Sequence, residues 1–190
     1  MDHRTFIDFL HTVERLKCNT RHSWTSSGRR ESVAEHSWRL AVMALLCADE
    51  YPDLDHAKLV KMCLIHDWGE ALTGDIPSFY KTEADEVREA KAIEQLLSPL
   101  PDAMREEFSA LFAEMEARET PEAKLFKALD NMEAIFSHNE ADISTWIEKE
   151  YTESLIYGVE AAAWHPFTAD VRELLRQDTL EKIKREGKRE

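Results

Sequence analysis

The stretch Leu64-Ile65-His66-Asp67-Trp68-Gly69-Glu70-Ala71-Leu72-Thr73-Gly74-Asp75-Ile76-Pro77 decides how the chain is read. Upstream, Leu59, Val60, Cys63 and Leu64 recur at helical spacing, behind a turn at Tyr51-Pro52-Asp53 and a cap at Asp53 or Asp55. A helix there delivers His66 and Asp67 at its C-terminal end. Trp68, Ala71 and Leu72 let helical structure resume, Thr73-Gly74 stops it, and Pro77 blocks easy continuation. His66 and Glu70 are four apart and share a face if the backbone stays helical. An adjacent His-Asp pair followed by two further carboxylates is denser in coordinating groups than an ordinary helix requires. The reading is that His66-Asp67 binds a metal and that Glu70 and Asp75 serve a reaction. The remaining ligands must come from elsewhere in the chain.

The composition limits what that chain can be. Its 190 residues suit one domain with a substantial core. At 43% hydrophobic it is globular, and only 5 Gly and 6 Pro favour long helices over a turn-rich β fold. No apolar run approaches the roughly 20 residues that span a bilayer. Met1-Asp2-His3-Arg4-Thr5 leads into a charged amphipathic segment, so no signal peptide is expected. Cys18, Cys47 and Cys63 form no C-x-x-C pair, which argues against a zinc knuckle and for reduced thiols in a cytoplasm. The net charge of -14 repels polyanions and makes duplex nucleic acid an improbable partner. A small anionic substrate stays open if a metal and arginines supply local positive charge.

Upstream of the opening stretch, Phe6, Phe9, Leu10, Val13 and Leu16 predict an amphipathic helix ending near Cys18. The segment from Arg21 to Arg30 then reads as a polar loop, either a solvated connection or an anion-binding loop using Arg21, Arg29 and Arg30. Ser32 and Glu35 fit a capping box, and Val33, His36, Leu40, Met43 and Cys47 fall on one face of the helix that follows. His36 thus points to the core side, as a hydrogen-bonded core histidine or as a ligand. Downstream, Thr82 opens a charged helix, and Met104 to Met115 mark another. Thr120-Pro121-Glu122 is a strong helix start, with Leu125, Leu129, Met132 and Phe136 as its core face. Asp130 sits beside that face and needs a partner, either Lys127 or a metal. Ile143 to Tyr157 and Phe167 to Lys184 read as the last helices, with a tail from Lys182 to Glu190 prone to fray. No alternating β pattern of useful length occurs. The fold class expected is all-α, one domain over residues 1–190.

The polar groups at core-facing positions are His36, His66, Asp67 and Asp130, on three separate helices. Two imidazoles and two carboxylates suit one divalent ion such as Mn, Co, Fe or Zn. The order His, His-Asp, Asp resembles the HD-domain metal-dependent phosphohydrolases, whose successive metal motifs look like Glu35-His36-Ser37, Ile65-His66-Asp67 and Leu129-Asp130-Asn131. The finer text, Ser32-Val33-Ala34-Glu35-His36 and then His66-Asp67-x-x-Glu70-Ala71-x-Thr73-Gly74-Asp75-Ile76-Pro77, resembles the 5′-deoxynucleotidase branch. The similarity runs from the first helix to about Glu140.

That resemblance implies a compact helical bundle with the metal between helices, and hydrolysis of deoxynucleoside 5′-monophosphates to deoxynucleoside and phosphate. It makes His36, His66, Asp67 and Asp130 the metal ligands and Glu70 a general acid or base at the attacking water. It places Asp75 near the sugar and leaving oxygen, and Arg21 and Trp24 on phosphate and nucleotide. It also implies a homodimer. Read by themselves, Glu70 could be a surface helix residue and Asp75 a turn cap. The alternatives are another HD-type hydrolase, acting on triphosphates, cyclic nucleotides or an alarmone, and a sensor that binds metal and nucleotide without turnover. A sensor needs neither Glu70 nor Asp75.

Overall fold

Thr120 and Pro121 start the longest element of the central bundle. The Thr120 hydroxyl accepts the Ala123 amide at 3.3 Å, and Pro121, at the first helical position, gives up no needed donor. Helix α7 (Pro121–Glu140) then packs against α2 (Val33–Leu46) and α3 (His56–Ile65). Leu40, Leu59, Met62, Leu125 and Met132, fully buried, fill the space between the three. Each such side chain contributes roughly 1.5–3 kcal/mol relative to exposure. The structure, a computed structural model, describes residues 1–77 and 80–187. The loop expected at Ser78-Phe79 and the last part of the frayed tail, 188–190, lie outside the described residues.

Ahead of the bundle run α1 (His3–Val13) and a 3-10 turn, Glu14–Lys17. The capping box at Ser32 forms as read, Glu35 accepting the Ser32 amide at 2.9 Å, and Asp55 caps α3 through the Lys58 amide. After α4 (Glu70–Thr73), Gly74 turns the chain at φ 76°, a conformation that favours glycine. Helices α5 (Glu83–Leu97) and α6 (Asp102–Ala117) follow, and α10 (Pro166–Glu186) lies along α7. Helical structure thus continues past Lys182 to Glu186, and Lys182 is itself buried.

Two segments differ from their sequence reading. The polar stretch after Cys18 is a small antiparallel hairpin, β1 (Thr20–Trp24) and β2 (Arg30–Ser32), turning at Gly28 with φ 84°. Its strands are too short and too polar to show alternation. The helix expected over Ile143 to Tyr157 is broken into a 3-10 turn, Ile143–Thr145, and α8 (Glu150–Ile156). Side-chain hydrogen bonds explain the break: the Trp146 indole donates to the His138 carbonyl at 3.0 Å, and the Glu150 carboxylate accepts the Ile147 amide at 2.7 Å. Gly158 (φ 76°) then leads into α9 (Val159–Ala162).

Candidate active site

The three central helices bring four donor atoms together. His36 from α2 is 1% exposed and His66 follows the last turn of α3. Their Nε2 atoms are 3.2 Å apart. Asp67 Oδ2 is 3.0 Å from His66 Nε2 and 3.8 Å from His36 Nε2. Asp130 Oδ1, from α7, is 3.2 Å from His36 Nε2 and 3.8 Å from His66 Nε2. Asp130 also keeps the partner suggested by its neighbourhood, since Lys127 Nζ is 2.7 Å from its other oxygen. The two readings of Asp130 are therefore compatible, one oxygen for each.

The outer nitrogens of both imidazoles are engaged. His66 Nδ1 donates to the Cys63 carbonyl at 2.9 Å, and His36 Nδ1 bonds the Glu133 carboxylate. With protons on both Nδ1 atoms, two Nε2 lone pairs face each other and two carboxylates, an arrangement that calls for a cation. Bonds of about 2.0–2.2 Å put neighbouring ligand atoms about 3 Å apart, so His36, His66 and Asp67 fit one divalent ion, with Asp130 beside the two histidines as a fourth donor. Without a metal, a proton on His36 Nε2 takes the cation's place: burial and Arg21 oppose charge on the ring, but Glu133 and Asp130 outweigh them and hold its pKa up at about 9. Burial would raise Asp67, yet His66 and His36 keep it at about 2, and Lys127 with the two histidines keeps Asp130 well below the carboxylate range.

Glu133 is the residue that sequence reading missed. Fully buried on α7, it also accepts from Arg21 Nη1 at 3.0 Å and Arg39 Nε at 2.7 Å. Ser137 bonds both Glu133 and Glu31. The available signal was its place three residues after Asp130, on the same helical face, but the chain is rich in glutamate and nothing marked this one.

A cavity of about 430 Å³ opens on the cluster, and Arg21, Glu70 and Asp75 line it beside His36, Asp67 and Asp130. Glu70 is 8% exposed and its Oε2 has no hydrogen-bond partner among the described residues. Burial, then Asp67 and Asp75, push its pKa to about 10. Asp75 is raised as well, chiefly by burial, and its carboxylate makes no hydrogen bond to a described residue. Arg21 is held by Glu133 and Glu31, its charge reinforced by both against burial. The other loop arginines are committed elsewhere: Arg29 to Glu35, and Arg30 to the His22 carbonyl and the Trp24 ring, 4.5 Å from its centroid. Trp24 does not line the cavity.

The sequence profile of the HD domain matches residues 13–172, and the chain belongs to the HD-domain family. Among its relatives, the 5′-deoxynucleotidase HDDC2 of Bos taurus is 36% identical over 141 residues, 72% of this chain and 68% of that protein. The 5′-deoxynucleotidase hdd1 of Schizosaccharomyces pombe is 31% identical, covering 81% of this chain and 86% of its own. A solved structure from Magnetospirillum magnetotacticum, titled a predicted metal-dependent phosphohydrolase, superposes with a TM-score of 0.79 at 30% identity, over 94% of this chain and 93% of that one.

Proposed function

We propose that this chain is a metal-dependent phosphomonoesterase that hydrolyses deoxynucleoside 5′-monophosphates to deoxynucleoside and phosphate. The observation that carries the reading is the cluster of His36, His66, Asp67 and Asp130 beside the cavity, in which the two histidine nitrogens are 3.2 Å apart and each lies 3.0–3.8 Å from both carboxylates. The names of its 5′-deoxynucleotidase relatives support the substrate class. These four residues would hold one divalent ion, which when bound supplies Lewis-acid polarisation of a phosphoryl oxygen and acidification of the attacking water.

The chain's own residues do the rest. Arg21, fixed by Glu133 and Glu31 and lining the cavity, offers its guanidinium to the non-reacting phosphate oxygens. Glu70, kept protonated by burial, donates to the leaving 5′-oxygen, and once ionised takes a proton from water. Asp75, which lines the same cavity, meets the sugar side of the substrate. Glu133 holds the His36 ring so that Nε2 faces the ion. Trp24 is assigned a nucleotide contact only if its ring turns from under Arg30 when substrate binds.

The functional unit in this reading is a single domain acting as a homodimer. Phe6, Ile7 and Leu10 of α1 leave their apolar face exposed, and Trp38 of α2, 65% exposed, lines a groove beside them, a surface suited to a second copy. A cytoplasmic setting fits three unpaired cysteines, and no helix among the described residues is long and apolar enough to cross a membrane. The test is phosphate release from deoxy- and ribonucleoside monophosphates with Mn²⁺ or Co²⁺. Release from none of them would end the proposal.

A further inference from the structure

The cavity has a second end that the phosphate chemistry does not use. Lys127, Asp130, Ala134 and His138 line it at one-face spacing along α7. From Asp130 to His138 is eight residues, about 12 Å of helix. α7 thus runs under the cavity as a ruler, with the metal donors at one end and His138 at the other. A second polar constellation stands there. His22 Nε2 is 2.6 Å from Glu150 Oε1, and His138 Nδ1 is 3.1 Å from the same oxygen. The other oxygen of Glu150 accepts the Ile147 amide.

The wall behind this end is built from the other side of the molecule. Glu150, Glu153 and Tyr157, on and just after α8, line the cavity. Arg172 of α10, 2% exposed, donates to the Ser154 and Tyr157 carbonyls at 2.8 and 2.9 Å and fixes that backbone. Burial pushes the His138 pKa down, against the pull of Glu150. The proton on Nδ1 faces Glu150, which leaves the Nε2 lone pair as an acceptor. Glu153 lines the same wall, and its carboxylate is a second acceptor.

We propose that the His138–Glu153 end of the cavity is the nucleobase subsite and favours bases carrying an exocyclic amino group. The inference rests on the proposed function, which fixes the phosphate at the Asp130 end. A deoxynucleoside monophosphate laid along α7 from that end brings its base to His138. Adenine, cytosine and guanine present amino donors to two acceptors. Thymine presents carbonyl oxygens and a methyl group beside a single ring N–H, and meets those acceptors poorly.

The experiment compares kcat/KM for dAMP, dCMP, dTMP and 2-deoxyribose 5-phosphate in the metal-loaded wild type, His138→Leu and Glu153→Gln. Wild type should prefer dAMP and dCMP over 2-deoxyribose 5-phosphate and over dTMP. His138→Leu should cut that preference about 3- to 10-fold, the worth of one hydrogen bond, and leave 2-deoxyribose 5-phosphate unchanged. Glu153→Gln should do the same and carries the test if His138→Leu does not fold. Equal losses on all four substrates would mean a structural role and overturn the subsite, as would no loss on any. If wild type hydrolyses none of the four, the proposed function fails separately. Calorimetric Kd values for dAMP and 2-deoxyribose 5-phosphate then decide the subsite. A weakening confined to dAMP in His138→Leu supports it, and identical affinities in both proteins overturn it.

Discussion

Replacing Glu70 by Gln should make the metal-free protein more stable and the enzyme inactive. Glu70 is 8% exposed, with one oxygen unpartnered among the described residues, and burial together with Asp67 and Asp75 lifts its pKa from 4.5 to about 10. Between those values the folded chain holds a proton that the unfolded chain has released. Raising the pH through that window therefore costs stability. At about pH 8 the gap to the unfolded pKa is about 3.5 units, a ceiling of about 5 kcal/mol. Water entry and side-chain relaxation reduce this to about 1–2 kcal/mol. Glutamine keeps the shape and cannot ionise, so it removes the cost. By calorimetry on chelator-treated protein, Glu70→Gln should melt about 3–6 °C above the parent at about pH 8. At about pH 5 the gap nearly closes, and the two should melt within about 1 °C. Phosphate release by the metal-loaded variant should fall about 10²–10⁴-fold. A variant that is less stable at both pH values, or equally stabilised at both, would refute the account of Glu70 as a buried, protonated acid.

Other substitutions probe the supports of the site. Glu133→Gln leaves all four donors in place but loosens the His36 ring, so calorimetric affinity for Mn²⁺ should weaken about 10–100-fold. Arg21→Ala should lower kcat about 10²–10³-fold, with Arg21→Lys recovering only part because one ammonium cannot reproduce the fork that spans Glu133, Glu31 and phosphate. Gly158→Ala would put a Cβ 2.6 Å from Asn131 Cβ, at a φ of 76° that side chains avoid. It should cost about 1–3 kcal/mol and lower Tm by several degrees.

How far the sequence reached depended on what each signal encodes. His36, His66, Asp67 and Asp130 were legible because each sits on or beside an apolar helical face, where a polar group demands a reason. The caps at Ser32, Asp55 and Thr120 were legible because their partners are three residues away. Glu133, by contrast, is defined by Arg21, Arg39 and His36, partners about a hundred residues distant that no local pattern reveals. The break at Trp146-Ile147 comes from nearer partners, the His138 carbonyl eight residues back and the Glu150 carboxylate three residues on, which apolar periodicity does not register. The loop from Arg21 to Arg30 reads either as a solvated connection or as an anion-binding loop with three arginines; of these only Arg21 lines the cavity, because Arg29 pairs with Glu35 on α2 and Arg30 with the His22 carbonyl and the Trp24 ring across the hairpin. The hairpin was itself unreadable from two short polar strands.

The central claim is that the four donors hold a catalytic ion. It is tested most directly by titrating chelator-stripped protein with Mn²⁺ while recording phosphate release from dAMP, in the wild type and in Asp130→Asn. The account predicts no release without metal, a rise that saturates at one ion per chain in the wild type, and neither binding nor release in Asp130→Asn. Full release from the stripped protein, or an Asp130→Asn chain that binds the ion and turns over like the wild type, would contradict it.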